Sequence, residues 1–242
     1  DGMLFFLYRY YWDWIDLLVD PQCGGCRKTG FRWCESCHEA AHLLTYPVCE
    51  TCGNPDTPPG ACERCQAQPP LFDAARSWGV FEDPLRRAVV HLKHHKDGAI
   101  GLALAEPLAD LVRQQNWVFD LVLPVPLSPQ RAKKRGYNQV SLLAYPLAAH
   151  FRAAFAPRAL QRIRETRTQV GLTHRERRMN LVGAFRADPA TVAGRNVLLV
   201  DDVFTTGSTL QESARALKQA GAHRVFAVTL ARALQRRGSI SW

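Results

Sequence analysis

Two carboxylates close an apolar run and small hydroxylated residues follow them in "VLLVDDVFTTGSTL", Val197 to Leu210. Ionised Asp201 and Asp202 are acceptor-only groups, suited to adjacent hydroxyls, alone or with a cation. Thr205, Thr206, Gly207, Ser208 and Thr209 read as a turn into a helix. In such a turn Gly207 lets the backbone bend close to a ligand, while successive amides and hydroxyls converge on one anion. Vicinal hydroxyls beside one phosphate describe a ribose 5-phosphate. The lysine of a GxxxxGK[ST] loop is missing, which argues against a nucleoside triphosphatase.

A second chemistry sits near the amino end. All eight cysteines fall in CxxC pairs: Cys23/Cys26, Cys34/Cys37, Cys49/Cys52 and Cys62/Cys65. Two such pairs supply the four soft ligands of a tetrahedral structural zinc site, so two Zn²⁺ are expected rather than disulfides. Sequential use of the pairs gives two small ribbons and is the expected arrangement. Interleaved use would give a cross-braced module. The ribbons either stabilise a segment too short to bury a core of its own, or present Arg27, Lys28, Arg32 and Arg64 to nucleic acid.

The elements that must carry these groups follow from the pattern of apolar residues. "ARSWGVF", "FDLVLPVP", "NVLLV" and "RVFAVTLA" read as strands. "PLRRAVVHLKHH", "AIGLALAEPLADLVRQQ", "NQVSLLAYPLAAHFRAAF" and "STLQESARALKQAG" read as helices, the third with a kink or break at Pro146. Strands alternating with helices predict an α/β protein with a mainly parallel sheet, whose ligands sit at the carboxyl ends of strands. The division expected is an amphipathic aromatic helix over 1–20, the double zinc ribbon over 21–68 and the α/β body over 69–242, with Pro69 and Pro70 as the joint.

The amino-terminal stretch is aromatic, but Arg9, Asp13, Asp16 and Asp20 interrupt the apolar run that a bilayer span needs. A helix packed on its own protein or on a partner is expected there, or one lying on a membrane surface. A cytoplasmic protein without a transmembrane segment is the expectation. The formal net charge of +9 predicts attraction to phosphates in a nucleotide-like molecule, nucleic acid or a membrane surface. His91, His94 and His95 lie close together, but only Asp97 offers a carboxylate at ligand spacing, so no metal is expected there. No Ser-His-Asp or HExxH pattern supports hydrolysis.

The Val197–Leu210 stretch closely resembles the signature of type I phosphoribosyltransferases, which bind 5-phosphoribosyl 1-pyrophosphate (PRPP). The paired CxxC front, "HLKHHKD", "LPVPLSPQRAKKRGYNQ", "RIRETRTQVGLTHRERRMNLVGAF" and that stretch, in this order, resemble the ComF family. Its members are phosphoribosyltransferase-like and associated with natural competence and the use of external DNA. The resemblance implies a type I phosphoribosyltransferase fold, a mainly parallel sheet flanked by helices, with a small amino-terminal zinc-ribbon module.

It further implies that Asp201 and Asp202 take the ribose hydroxyls, that Thr205 to Thr209 take the 5-phosphate, and that Mg²⁺ comes bound mainly through the diphosphate. Arg131, Lys133, Lys134 and Arg135 lie where the family's pyrophosphate loop falls. Arg167, Thr168, Gln169, Arg175 and Arg178 occupy the place of the loop that closes over PRPP in related enzymes. Lys93 is placed to reach the site. The expected catalytic set is Asp201, Asp202, Arg167 and Arg135. Two functions remain open: ribosyl 5-phosphate transfer to an unidentified acceptor, or nucleic-acid handling with a regulatory or idle PRPP pocket. Single-stranded DNA and a protein of the uptake machinery are the expected macromolecular partners.

Overall fold

Val197, Leu198, Leu199 and Val200 alternate between two apolar layers: Val197 and Leu199 enter one cluster, Leu198 and Val200 the other. They belong to β6 (Asn196–Phe204), the middle strand of a five-stranded sheet. A strand buried on both faces reads as a continuous apolar run, which is why no polar residue interrupts it before Asp201. Each fully buried leucine or valine contributes about 1.5–3 kcal/mol, so the register is strongly held. The computed structural model describes residues 2–45, 47–55, 57–165 and 181–234.

The other strands are β1 (Ala74–Val80), β2 (Leu121–Pro124), β3 (Ala154–Phe155) and β7 (Arg224–Arg232), in spatial order β1-β7-β6-β2-β3. Every pairing in this sheet is parallel. A short antiparallel pair, β4 (Leu160–Arg162) with β5 (Phe185–Ala187), lies apart from it. Helices α4 (Leu85–His94), α5 (Gly98–Gln114) and α7 (Ser141–His150) cover one face. Helix α9 (Ser208–Gln219), with the β4–β5 pair, covers the other. Among the described residues two short helices complete the body, α6 (Pro129–Arg135) after β2 and α8 (Pro189–Val192) before β6.

The expected long helix from Asn138 is shorter than its apolar pattern suggests. Arg152 takes a positive φ of 52° after α7, and Ala154–Phe155 pairs with Leu121–Val122 as β3. Pro146 does not break α7; it is buried inside the helix, where packing offsets the missing N–H.

The cysteine segment holds α2 (Glu35–Glu39) and α3 (Glu63–Ala67). Its two halves meet the body on different layers. Cys49, Cys52 and Cys65 join the cluster that contains Phe204 and Leu210, whereas Cys23, Cys34 and Cys37 form a small cluster with Trp33. Gly53 (φ +68°) permits the first of these contacts. A Cβ there would come within 2.7 Å of the Ala75 carbonyl oxygen, so only glycine lets the knuckle rest on β1.

Before them, α1 (Gly2–Leu18) packs Phe5 and Tyr8 edge-on against Tyr145 of α7, at 5.8 and 5.3 Å between ring centres. Arg32 pairs with both Asp16 and Asp97, tying α1 to the start of α5. Phe6, Tyr10, Tyr11, Trp14, Leu17 and Leu18 remain exposed on the opposite side. Among the described residues no helix is long and apolar enough to cross a membrane.

Candidate functional site

Asp201 and Asp202 stand near the carboxyl end of the central strand, just before the turn into α9. Asp202 is buried, and its Oδ2 accepts from Gln139 Nε2 at 2.7 Å and from Lys93 Nζ at 3.2 Å. Asp201 Oδ1 accepts the Asp202 N–H at 2.9 Å. Burial and then the Asp202 charge push the Asp201 carboxyl up to about 8, against the opposing pull of the Asp202 N–H and Lys93. The pair thus has one carboxylate fixed by a cation and an amide, and one neighbour that holds its proton near neutrality.

Gln139 belongs to "RGYNQ", and each polar side chain of that motif is committed. Arg135 donates to Gln139 Oε1, joining a chain Arg135–Gln139–Asp202–Lys93. Tyr137 donates to the Leu92 carbonyl at 3.0 Å, one residue before Lys93, and Asn138 Nδ2 donates to the Val125 carbonyl at 2.9 Å. The segment after α6 therefore fixes α4, the end of β2 and the Asp202 carboxylate together. The arrangement orients one acceptor at the centre of the sheet's carboxyl edge.

The following turn has the shape of an anion cup. Gly207 adopts φ +77°, and a Cβ there would lie 2.8 Å from Phe204 Cζ. Thr206 and Ser208 are buried, with their hydroxyls 2.8 Å apart and the Ser208 N–H on Thr206 Oγ1 at 3.3 Å. Thr205 is exposed and Thr209 half-buried. The turn leads into a 12-residue helix, whose first amides and dipole favour negative charge.

The cysteines gather in sequential sets. The sulfurs of Cys23, Cys26, Cys34 and Cys37 lie within 4.8 Å of one another, as do those of Cys49, Cys52, Cys62 and Cys65. Four thiolates at about 2.3 Å from a tetrahedral Zn²⁺ stand about 3.8 Å apart. Cys26–Cys34 and Cys52–Cys62 measure 3.6 and 3.8 Å, so the geometry fits that ion. Backbone amides complete the knuckles: Cys34 N–H points at Cys23 Sγ (3.4 Å), and Cys52 and Cys62 N–H at Cys49 Sγ (3.4 and 3.2 Å). Burial raises the Cys23 and Cys49 thiols, but these and neighbouring N–H groups bring each down to about 6. Both sets could hold Zn²⁺ as a structural ion, closed by four thiolates.

The remaining sequence-derived residues fall in different places. Lys93 and Arg135 both reach the Asp202 network. Arg131 lies on exposed α6, with its backbone N–H on the Ser128 cap at 3.4 Å and its charge beside Arg162. Arg167, Thr168, Gln169, Arg175 and Arg178 lie outside the described residues. Of the basic residues expected to face nucleic acid, Arg32 is committed to Asp16 and Asp97, and Arg64 to the Thr206 carbonyl. Gln139 and Arg232 had no role assigned from sequence. The signal for Gln139 was its place in "RGYNQ"; its partner lies 63 residues away.

The phosphoribosyl transferase domain family matches residues 141–241. The DNA utilization protein YhgH of Salmonella typhimurium is 36% identical over 228 residues, covering 90% of this chain and all of that protein. The chain belongs to the ComF family. Competence protein F of Haemophilus influenzae is 32% identical, covering 87% of this chain and 90% of that protein. Competence protein ComFC of Bacillus subtilis is 27% identical over 85% of this chain and 86% of its own length. Within the ComF family frame, the parallel sheet flanked by helices is the type I phosphoribosyltransferase fold, and the two cysteine tetrads are compatible with zinc ribbons.

Proposed function

We propose that this cytoplasmic protein binds Mg²⁺-PRPP and transfers its ribosyl 5-phosphate group to an acceptor, releasing pyrophosphate. The observation that carries the reading is the Asp202 carboxylate, held by Gln139 and Lys93 just before the Gly207 turn. Acceptor oxygens for vicinal hydroxyls and an amide cup for a monophosphate stand in the order a ribose 5-phosphate requires. Asp201 and Asp202 orient the ribose, and the Thr205–Thr209 turn anchors its phosphate. Arg135, Arg131, Lys93 and Arg167 supply positive charge toward the diphosphate.

In the transfer, the bond from C1 of the sugar to pyrophosphate breaks and its electron pair leaves with pyrophosphate. The acceptor's lone pair forms the new bond to C1, and the acceptor gives up its proton to solvent. Such a step is served by charge that stabilises the leaving group and by exclusion of water. Mg²⁺ travels with the diphosphate and adds positive charge there. The test is pyrophosphate release from Mg²⁺-PRPP across a panel of bases and amines. Release that Asp202→Asn abolishes supports transfer; silence with every acceptor moves the reading to a binding protein.

That second reading rests on a specific feature. A cavity of about 400 Å³ beside the first cysteine knuckle is lined by Arg27, Arg86, Arg87, His91, His94 and His95. Burial and then the charges of His91, Arg27 and His94 push His95 below its usual range, against the opposing pull of Asp97. In this reading the phosphates of single-stranded DNA bind there and PRPP regulates. Binding of an oligonucleotide that weakens steeply with salt and survives Asp202→Asn supports it.

A further inference from the structure

The second cysteine tetrad touches the phosphate turn at two independent points. Arg64, on α3 between Cys62 and Cys65, donates through Nη2 to the Thr206 carbonyl at 2.5 Å. Arg232, at the end of β7, donates to the Cys52 carbonyl at 2.8 Å and lies 3.7 Å from Cys52 Sγ. The same guanidinium stacks 3.9 Å from the centre of the Phe204 ring. Phe204 is the ring against which Gly207 packs with no room for a Cβ. Cys49, Cys52, Cys65, Phe204 and Leu210 share one apolar cluster.

The first contact has a directional consequence. In a trans peptide the C=O and the next N–H lie in one plane and point in opposite directions. Drawing the Thr206 carbonyl toward Arg64 therefore turns the Gly207 N–H the other way, away from the knuckle. The second contact fixes the ring that sets the height of the same glycine. A short five-residue helix has little stability of its own, so Arg64 is aimed only if Cys62 and Cys65 are held on either side of it.

We infer that Arg64 is a positioning residue for the 5-phosphate turn, and that the second metal-binding knuckle acts through it to set the phosphate end of the PRPP site. The inference rests on the PRPP reading for its ligand, but the geometry it describes belongs to the free protein. It predicts a split that general instability would not produce. Arg64→Gln weakens ribose 5-phosphate and Mg²⁺-PRPP by the same factor, about tenfold for loss of one charge-assisted hydrogen bond. Pyrophosphate binding is unchanged, and Arg64→Lys, which keeps a donor, recovers most of the loss.

Calorimetric titration of the zinc-loaded full chain with ribose 5-phosphate, pyrophosphate and Mg²⁺-PRPP reads that split. Deuterium uptake of the peptide covering residues 204–210, measured without ligand, reads the turn itself. Faster uptake in Arg64→Gln than in wild type, with zinc content unchanged, supports the inference even if the wild type binds no PRPP, an outcome that would overturn only the PRPP reading. Equal uptake in the two proteins overturns the inference. So does equal weakening of all three ligands, which would mark Arg64 as a general support of the fold. If Arg64→Gln fails to fold, the same comparisons are made with Arg64→Met, which keeps the aliphatic stem and removes the donor to the Thr206 carbonyl.

Discussion

The raised Asp201 carboxyl makes the affinity for Mg²⁺-PRPP depend on pH in a calculable way. In the free protein Asp201 holds its proton up to about pH 8, whereas a ribose hydroxyl is best met by an ionised acceptor. Ionising a group one unit below its pKa costs about 1.4 kcal/mol, or about tenfold in binding. Affinity should therefore rise about tenfold from pH 7 to pH 9, steeply below 8 and flat above. A phosphate monoester titrates near 6, outside this window, so the ligand adds little slope of its own. The sign for stability is opposite. A carboxyl raised from 3.8 to about 8 stabilises the fold most below its unfolded value, and that contribution is lost as pH rises through 8. Calorimetry at pH 7.0 to 9.0 and thermal melts from pH 5 to 9 read the two slopes. Asp201→Asn should flatten both. Wild-type affinity that does not change with pH, or an unchanged slope in Asp201→Asn, would refute the reasoning.

Other outcomes follow from single contacts. Gln139→Leu removes the 2.7 Å donor to buried Asp202, which should cost about 1–3 kcal/mol in chemical denaturation and weaken Mg²⁺-PRPP by tenfold or so. Gly207→Ala forces a Cβ toward the Phe204 ring at positive φ; ribose 5-phosphate binding should fall while far-ultraviolet circular dichroism stays near wild type. Stripping zinc with a strong chelator should lower the melting temperature, because four thiolates lose the ion that closes each knuckle; an unchanged melt would show that the tetrads fold without metal.

Much of this site is legible in the linear chain where chemistry is local. Two CxxC pairs bring their thiolates together through short turns, and an apolar run ending in "DDVFTTGST" can hardly be other than a strand, a turn and a helix. The long-range partners are another matter. Nothing near Asp202 announces Gln139, 63 residues before it, and nothing near Thr206 announces Arg64, 142 residues before it. Both side chains look like ordinary surface polar residues until the sheet order brings their elements together. β3 was hidden for a different reason: Ala154 and Phe155 continue an apolar helical pattern, and only pairing with β2 makes them extended.

The central claim is that the acids and the turn after β6 hold PRPP. Titration of Mg²⁺-PRPP into the zinc-loaded full chain at pH 8.5 tests it most directly. The account predicts one saturable site per chain, weakened about tenfold or more by Asp202→Asn, with the fold intact by thermal melt. Absence of saturable binding to the wild type, or equal affinity in Asp202→Asn, would contradict it.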